Sequence, residues 1–195
     1  NEINIEKVLS RLQGIFAIAL WNSKDKELFL IRDALGVKPL YFSEMNKGVY
    51  FSSEIKSILP LIGNCSLSDE DGFENFIDAE NINRYLTFLW CPGNGTPSKI
   101  FRKVGPGEYI KIKNGKVYKK VNWYLLPSFT LKNKKFNRYD SINGTYKNLK
   151  EAVNRQLVSD VPVGAFLSGG LDSSSIVALA SQTLKNINCF TIKIN

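Results

Sequence analysis

Residues 161–194 read VPVGAFLSGGLDSSSIVALASQTLKNINCFTIKI. VPVGAFL (161–167) is an apolar run with the character of a buried strand. It stops at Gly169 and Gly170. Asp172 or Ser173 can cap a helix over roughly 173–185. NCFTIKI (188–194) reads as a second strand. Strand, helix and strand within about thirty-five residues fit a parallel, right-handed βαβ unit, so this end of the chain is α/β.

The turn between strand and helix carries chemistry. Ligands of open α/β sheets bind at the carboxyl ends of the strands. The first amides of a helix have no internal acceptor, and the helix dipole adds partial positive charge there. Both favour a phosphate. Gly169 and Gly170 permit positive φ and close approach, so successive amides can form a concave nest. The hydroxyls of Ser168, Ser173 and Ser174 add donors. Asp172 would repel a polyphosphate unless Mg²⁺ bridges the two, since that ion takes carboxylate and phosphate oxygens. A plain helix cap explains Asp172 equally well. The stretch lacks both G-x-x-x-x-G-K-[ST] and G-x-G-x-x-G, so it is neither a kinase-type P-loop nor a dinucleotide fingerprint.

The rest of the 195-residue chain reads differently. LQGIFAIALW (12–21) is a nearly continuous apolar run expected to form a strand buried on both faces. ELFLIRD (27–33) comes after the polar NSKDK and completes a hairpin. ALGVKPLYF (34–42) loops back into a strand, and GVYFSS (48–53) is another. EIKSIL (54–59) has helical character up to Pro60. LSDEDGFENFIDAE (67–80) is an acidic connector. In NINRYLTFLW (81–90), Ile82, Tyr85, Leu86 and Leu89 have helical spacing. EYIKIKNGKVYKKV (108–121) is a hairpin whose Asn114–Gly115 suits a type I′ turn. PSFTLKNKKFNRYDSING (127–144) is basic and linker-like. YKNLKEAVNRQLV (146–158) then carries Leu149, Val153 and Leu157 on one helix face.

Composition narrows the chemistry. The chain is 44% apolar and 23% charged, with a net charge of +8. The excess lysine lies in KNGKVYKK (113–120) and LKNKKFNR (131–138), without the interleaved aromatics of a nucleic-acid surface. It reads as solvated hairpin and linker charge, and no nucleic-acid partner is expected. No apolar run is long enough to span a membrane. Cys65, Cys91 and Cys189 are odd in number and form no C-x-x-C pair, which favours a reducing cytoplasm over a disulfide framework. The chain has no histidine. Ser-His-Asp, Cys-His and His-ligated metal chemistry are therefore absent from these 195 residues.

The segment SDVPVGAFLSGGLDSSSIVALAS (159–181) resembles the pyrophosphatase loop of glutamine-dependent asparagine synthetases. RLQGIFAIALWNSKDKELFLIRDALGVKPLYF (11–42) resembles the later part of their glutaminase domain. FSSEIKSIL (51–59) and YLTFLWCPGNGTPSKIFRKVGPGEYIKIKNGKV (85–117) come next, in the family's order. The loop alone is shared with other pyrophosphatase-loop synthetases, and the block at 11–59 narrows the choice.

The resemblance implies an α/β protein. Residues 1–126 would be the C-terminal part of an α+β N-terminal-nucleophile glutaminase sandwich with its connector. Residues 127–145 would be a linker. Residues 146–195 would open a parallel-sheet synthetase domain that binds adenine nucleotide. It further implies that ATP activates the side chain of aspartate as an acyl-adenylate, and that ammonia from glutamine then displaces AMP. ATP and Mg²⁺ are the implied cofactors, and a homodimer is compatible with the resemblance. Ser168, Gly169, Gly170, Leu171, Asp172, Ser173 and Ser174 would hold the pyrophosphate part, with Asp172 on the metal. Leu167 and Ile192 would lie against the adenosine. Arg32, Asp33, Gly36, Lys38 and Pro39 read as scaffold. Both ends read as cuts, the nucleophile is missing from position 1, and no complete catalytic set is expected. A paralogous amidotransferase acting on a sugar, a peptide or another carboxylate, and a non-catalytic ATP-binding relative, remain alternatives.

Overall fold

The computed structural model describes residues 4–45, 47–61, 76–126 and 137–193. The chain divides into two compact units, one up to residue 128 and one from residue 129.

The first unit opens with a short helix α1 (Ile5–Leu9), capped by the Asn4 side chain. Strands β1 (Ala17–Asn22), β2 (Glu27–Arg32), β3 (Tyr41–Met45) and β4 (Gly48–Ser52) come next. After helix α2 (Ala79–Phe88) come β5 (Arg102–Lys103), β6 (Glu108–Lys113) and β7 (Lys116–Asn122). These strands make two antiparallel sheets, ordered β1-β2-β6-β7 and β4-β3-β5.

The alternation along β2 decides the layering. Leu30, with Ile110 and Ile112 of β6, faces Leu40, Phe42 and Val104 of the second sheet's side. Phe29 and Ile31, with Tyr109, face the opposite way and are covered by Ile5 and Leu9 of α1. Ile58 and Phe101 pack beyond the second sheet. Each such side chain contributes roughly 1.5–3 kcal/mol on burial. The result is a two-sheet sandwich with a helix on one outer face.

Several expectations change here. The apolar run 12–21 is not a strand buried on both faces. Gly14 has φ +134°, the strand begins only at Ala17, and β1 lies at the edge of its sheet. Trp21 is 59% exposed. Residues 54–59 form 3₁₀ turns rather than a helix, with Ile58 N–H donating to Ile55 O at 2.9 Å. Pro60 lies within the second turn, Leu59–Leu61. Helix α2 forms as expected and Asp78 caps it by accepting from Asn81 N–H at 3.0 Å. Its apolar stripe is nevertheless open, with Leu86 70% and Leu89 81% exposed, and its buried residue is Asn81. The backbone there leaves room for nothing more, since a Cβ on Gly95 would sit 2.3 Å from Asn81 Oδ1. The acidic connector lies largely outside the described residues, and so does Cys65.

The hairpin turn is as expected. Asn114 (φ +52°) and Gly115 (φ +74°) both take the left-handed conformation that a type I′ turn requires. The lysine-rich β7 lies at the sheet edge, where lysines deter pairing with another chain. That supports the reading of its charge as solvated.

The second unit contains helix α3 (Arg138–Gln156), strand β8 (Gly164–Phe166), helix α4 (Leu171–Ala180) and strand β9 (Asn188–Phe190). The strands β8 and β9 are parallel, with Gly164 opposite Asn188 and Phe166 opposite Phe190. Val153 of α3 packs on Leu179 and Ala180 of α4, with Leu157 and Ile187 at the margin. Helix α3 starts well before the expected position, inside the stretch read as linker. Asn137 caps it, and the hydroxyls of Ser141 and Thr145 donate to carbonyls one turn back. Tyr139 and Ile142 continue the spacing of Tyr146, Leu149 and Val153 into these first turns, although both are exposed and their neighbours polar. Residues 127–136 of that stretch lie outside the described residues. The strand expected at 161–167 is shorter and not buried. Phe166 is 80% exposed, because the unit's core lies between the helices and the strand turns this ring away from it.

Candidate functional site

The loop Ser168–Ser174 leaves the carboxyl end of β8. Leu167 N–H still pairs with Phe190 O at 2.8 Å, so the loop begins from an anchored strand. Gly169 has φ +79°, a conformation that a side chain would strain. Gly170 is the N-cap of α4 and supplies no side chain to satisfy the first amides. The expectation that Asp172 or Ser173 caps the helix is therefore corrected. Both lie inside the first turn, and the capping position falls on a residue without a side chain.

The hydroxyls brace the loop. Ser168 Oγ lies 3.0 Å from Ser173 Oγ. It also accepts from Gly170 N–H at 3.4 Å, and Ser173 O–H donates to Gly170 O at 3.2 Å. Ser174 N–H makes the first intrahelical bond, to Gly170 O at 3.1 Å. The amides of Leu171, Asp172 and Ser173 precede it and have no acceptor within the helix. They are presented at the carboxyl edge of a parallel strand pair. Asp172 is exposed and forms no ion pair among the described residues.

A single exposed carboxylate beside open amides fits Mg²⁺, which is usually held by one or two carboxylates together with phosphate oxygens and waters. Among the described residues no three acidic, histidine or cysteine side chains cluster, so Asp172 would be the one protein ligand from this loop. Of the two residues expected beside the adenosine, Leu167 is anchored to β9. Ile192 lies just past that strand and is 82% exposed.

The Arg32–Pro39 turn is the opposite case. Arg32 donates from Nε to Lys38 O (2.6 Å), from one terminal nitrogen to Val104 O (2.8 Å) and from the other to Gly36 O (2.6 Å). Asp33 is 1% exposed. Its carboxylate accepts from Leu35 N–H (3.2 Å), Val37 N–H (2.9 Å) and Lys38 N–H (3.0 Å). Burial pushes Asp33 up, but backbone hydrogen bonds from Lys38, Val37, Leu35 and Phe16 outweigh it and hold the carboxyl below its ordinary 3.8. Gly36 has φ +66°, and a Cβ there would meet Pro106 and Arg32 at 3.0–3.2 Å. The guanidinium and the carboxylate are both engaged within the fold. The turn is scaffold, as its sequence suggested, held by its own backbone contacts.

Residues 2–124 match the family model of the glutamine amidotransferase domain. The chain belongs to the glutamine amidotransferase domain family. Residues 145–195 match the asparagine synthase model. The order of the two matches is the order of the sandwich and the βαβ unit. Asparagine synthetase [glutamine-hydrolyzing] 1 of Bacillus subtilis is 34% identical over 192 residues, covering 96% of this chain and 28% of that protein. Amidase chyE of Penicillium rubens is 29% identical over 200 residues, covering 95% of this chain and 28% of that protein. The chain thus spans little more than a quarter of the length of these relatives. Glutamine phosphoribosylpyrophosphate amidotransferase of B. subtilis aligns at a TM-score of 0.38 and 17% identity, over 96% of this chain and 34% of that one. That likeness is too loose to fix the fold.

Proposed function

We propose that the protein takes part in ATP-dependent, glutamine-hydrolysing asparagine synthesis. The glutaminase sandwich belongs to the half that releases ammonia from glutamine, and the βαβ unit to the half that activates aspartate. The observation that carries this reading is the loop 168–174, with open helix-terminal amides and an unpaired Asp172 beside a parallel strand pair.

In this reading the amides of 171–173 and the hydroxyls of Ser168, Ser173 and Ser174 hold the β- and γ-phosphates. Leu167 and Ile192 flank the adenosine. Asp172 would hold Mg²⁺, which would supply charge neutralisation for the pyrophosphate. The loop carries no P-loop lysine, so amides and one carboxylate do the orienting. That suits attack at the α-phosphorus with pyrophosphate leaving. The aspartate β-carboxylate oxygen bonds to that phosphorus, giving the acyl-adenylate. Ammonia then attacks the acyl carbon and AMP leaves.

The reading includes a cytoplasmic enzyme acting as a homodimer. No helix among the described residues is long and apolar enough to cross a membrane. That a relative bears the name of an amidase and not of an asparagine synthetase leaves room for a second reading, in which the same two halves amidate a different carboxylate.

The test is Asp172→Asn in the full-length protein. Aspartate-dependent pyrophosphate release should fall by about a hundredfold, the scale of losing one preorganised electrostatic contact. Glutamine hydrolysis should be retained. Unchanged pyrophosphate release would remove Asp172 from the site. Activity with another carboxylate in place of aspartate would favour the second reading.

A further inference from the structure

A second cleft lies in the first unit, between the edges of its two sheets. It encloses about 260 Å³ and is lined by Phe42, Glu44, Met45, Arg102 and Lys120, with Lys99 and Ile100 beside them. That is small for a drug-sized ligand and suited to a small metabolite.

Its chemistry comes from register. Phe42 and Glu44 are two apart on β3 and so point to the same face. Arg102 of β5 is the direct cross-strand partner of Phe42 and shares that face. Lys120 comes from β7 of the other sheet, and its Nζ stands 5.4 Å from the centre of the Phe42 ring. The cations of Arg102 and Lys120 and the carboxylate of Glu44 therefore line one cleft beside the Phe42 ring, with Met45 and Ile100, which pack toward Ile58 and Phe101, at its margin. Glu44, Arg102 and Lys120 form no ion pair within 4.0 Å among the described residues. A cleft with unpaired charges of both signs beside the Phe42 ring matches a zwitterion with an apolar side chain.

We propose that this cleft binds a free α-amino acid with an apolar side chain. Its carboxylate meets Arg102 and Lys120, its ammonium meets Glu44, and its side chain lies against the Phe42 ring. The cleft and the loop 168–174 belong to different units, so neither proposal depends on the other.

Met45 is the one methionine of the chain and lines the margin of the cleft, so its methyl reports on binding there. The experiment labels the 195-residue chain with [methyl-¹³C]methionine and titrates it with L-leucine. The Met45 methyl resonance should move along a saturable curve at millimolar ligand. N-acetyl-L-leucine lacks the ammonium and L-leucinamide lacks the carboxylate. Each should bind about tenfold more weakly, the worth of one charge-assisted contact. Glu44→Gln and Arg102→Ala should weaken L-leucine by a similar factor, and Arg102→Lys should restore part of the loss. Glu44 and Arg102 are exposed, so the dispersed amide spectrum should persist in every variant. No saturable shift with L-leucine overturns the proposal. Equal binding of L-leucine and the two blocked leucines, or curves unchanged in Glu44→Gln and Arg102→Ala, also overturns it.

Discussion

Two turns in this chain have nearly the same ingredients and opposite uses. RDALGVKPL and FLSGGLDSS each leave a strand, and each combines an aspartate with glycine in a positive-φ conformation. In the first, Asp33 is buried and its carboxylate collects the turn's own amides, while Arg32 collects the carbonyls. In the second, Asp172 is exposed to solvent and the helix-terminal amides have no acceptor in their own helix. A turn that satisfies itself is scaffold. A turn that leaves donors open at a strand end is a place for a ligand. The contrast lies in where the hydrogen bonds go, not in residue type.

The largest effect should come from breaking the self-satisfied turn. Asp33→Ala would leave three part-buried amides, of Leu35, Val37 and Lys38, without their acceptor, and each costs up to about 1–3 kcal/mol. The expected loss is about 3 kcal/mol or more in a urea unfolding experiment. The same group sets a pH dependence. Its folded-state pKa is depressed, so its stabilisation is present above the ordinary value of 3.8 and is lost as pH falls through the lower folded value. Asp33→Asn should therefore flatten the acid limb of the stability curve. Asp172→Asn, on an exposed carboxylate without an ion pair among the described residues, should leave the unfolding midpoint unchanged.

Gly169→Ala sharpens the comparison from the other side. A Cβ there meets nothing within 4 Å, so the cost comes from φ +79° alone, about 1 kcal/mol. ATP binding measured by calorimetry on the full-length protein should weaken, since the loop backbone must shift. Gly115→Ala carries a similar conformational cost at φ +74°, about 1 kcal/mol, and should leave ATP binding untouched. Ser168→Ala should be smallest in stability, within about 0.5 kcal/mol, because its bonds are exposed. It should still weaken ATP binding if the hydroxyl brace orders the amides.

Much of the site is legible in the sequence. Strand, glycine pair, aspartate and helix in that order place Ser168–Ser174 at a strand's carboxyl end, because a chain leaving a strand must turn at its carboxyl edge before a helix can begin. The helix cap is not legible. Asp172 and Ser173 both have capping side chains, and only the backbone shows that Gly170 occupies the position. The zwitterion cleft is not legible either. Glu44, Arg102 and Lys120 are far apart in sequence and each reads as a solvated surface charge. The apolar stripe of α2 misleads differently. Its helical period is correct, but periodicity tells which residues share a face and not whether anything covers it.

Local sequence was enough for most strand and helix types, the Asn114–Gly115 turn, the phosphate-suited loop and the order of the two halves. These depend on neighbouring residues, through backbone sterics and short-range periodicity. Tertiary structure decided that β1 is an edge strand, that Asp33 spends its carboxylate on its own turn while Asp172 does not, and that three distant charges line one cleft. Those outcomes depend on which groups meet across the sheets. Burial and hydrogen-bond satisfaction are properties of that meeting, and no single stretch of sequence contains them.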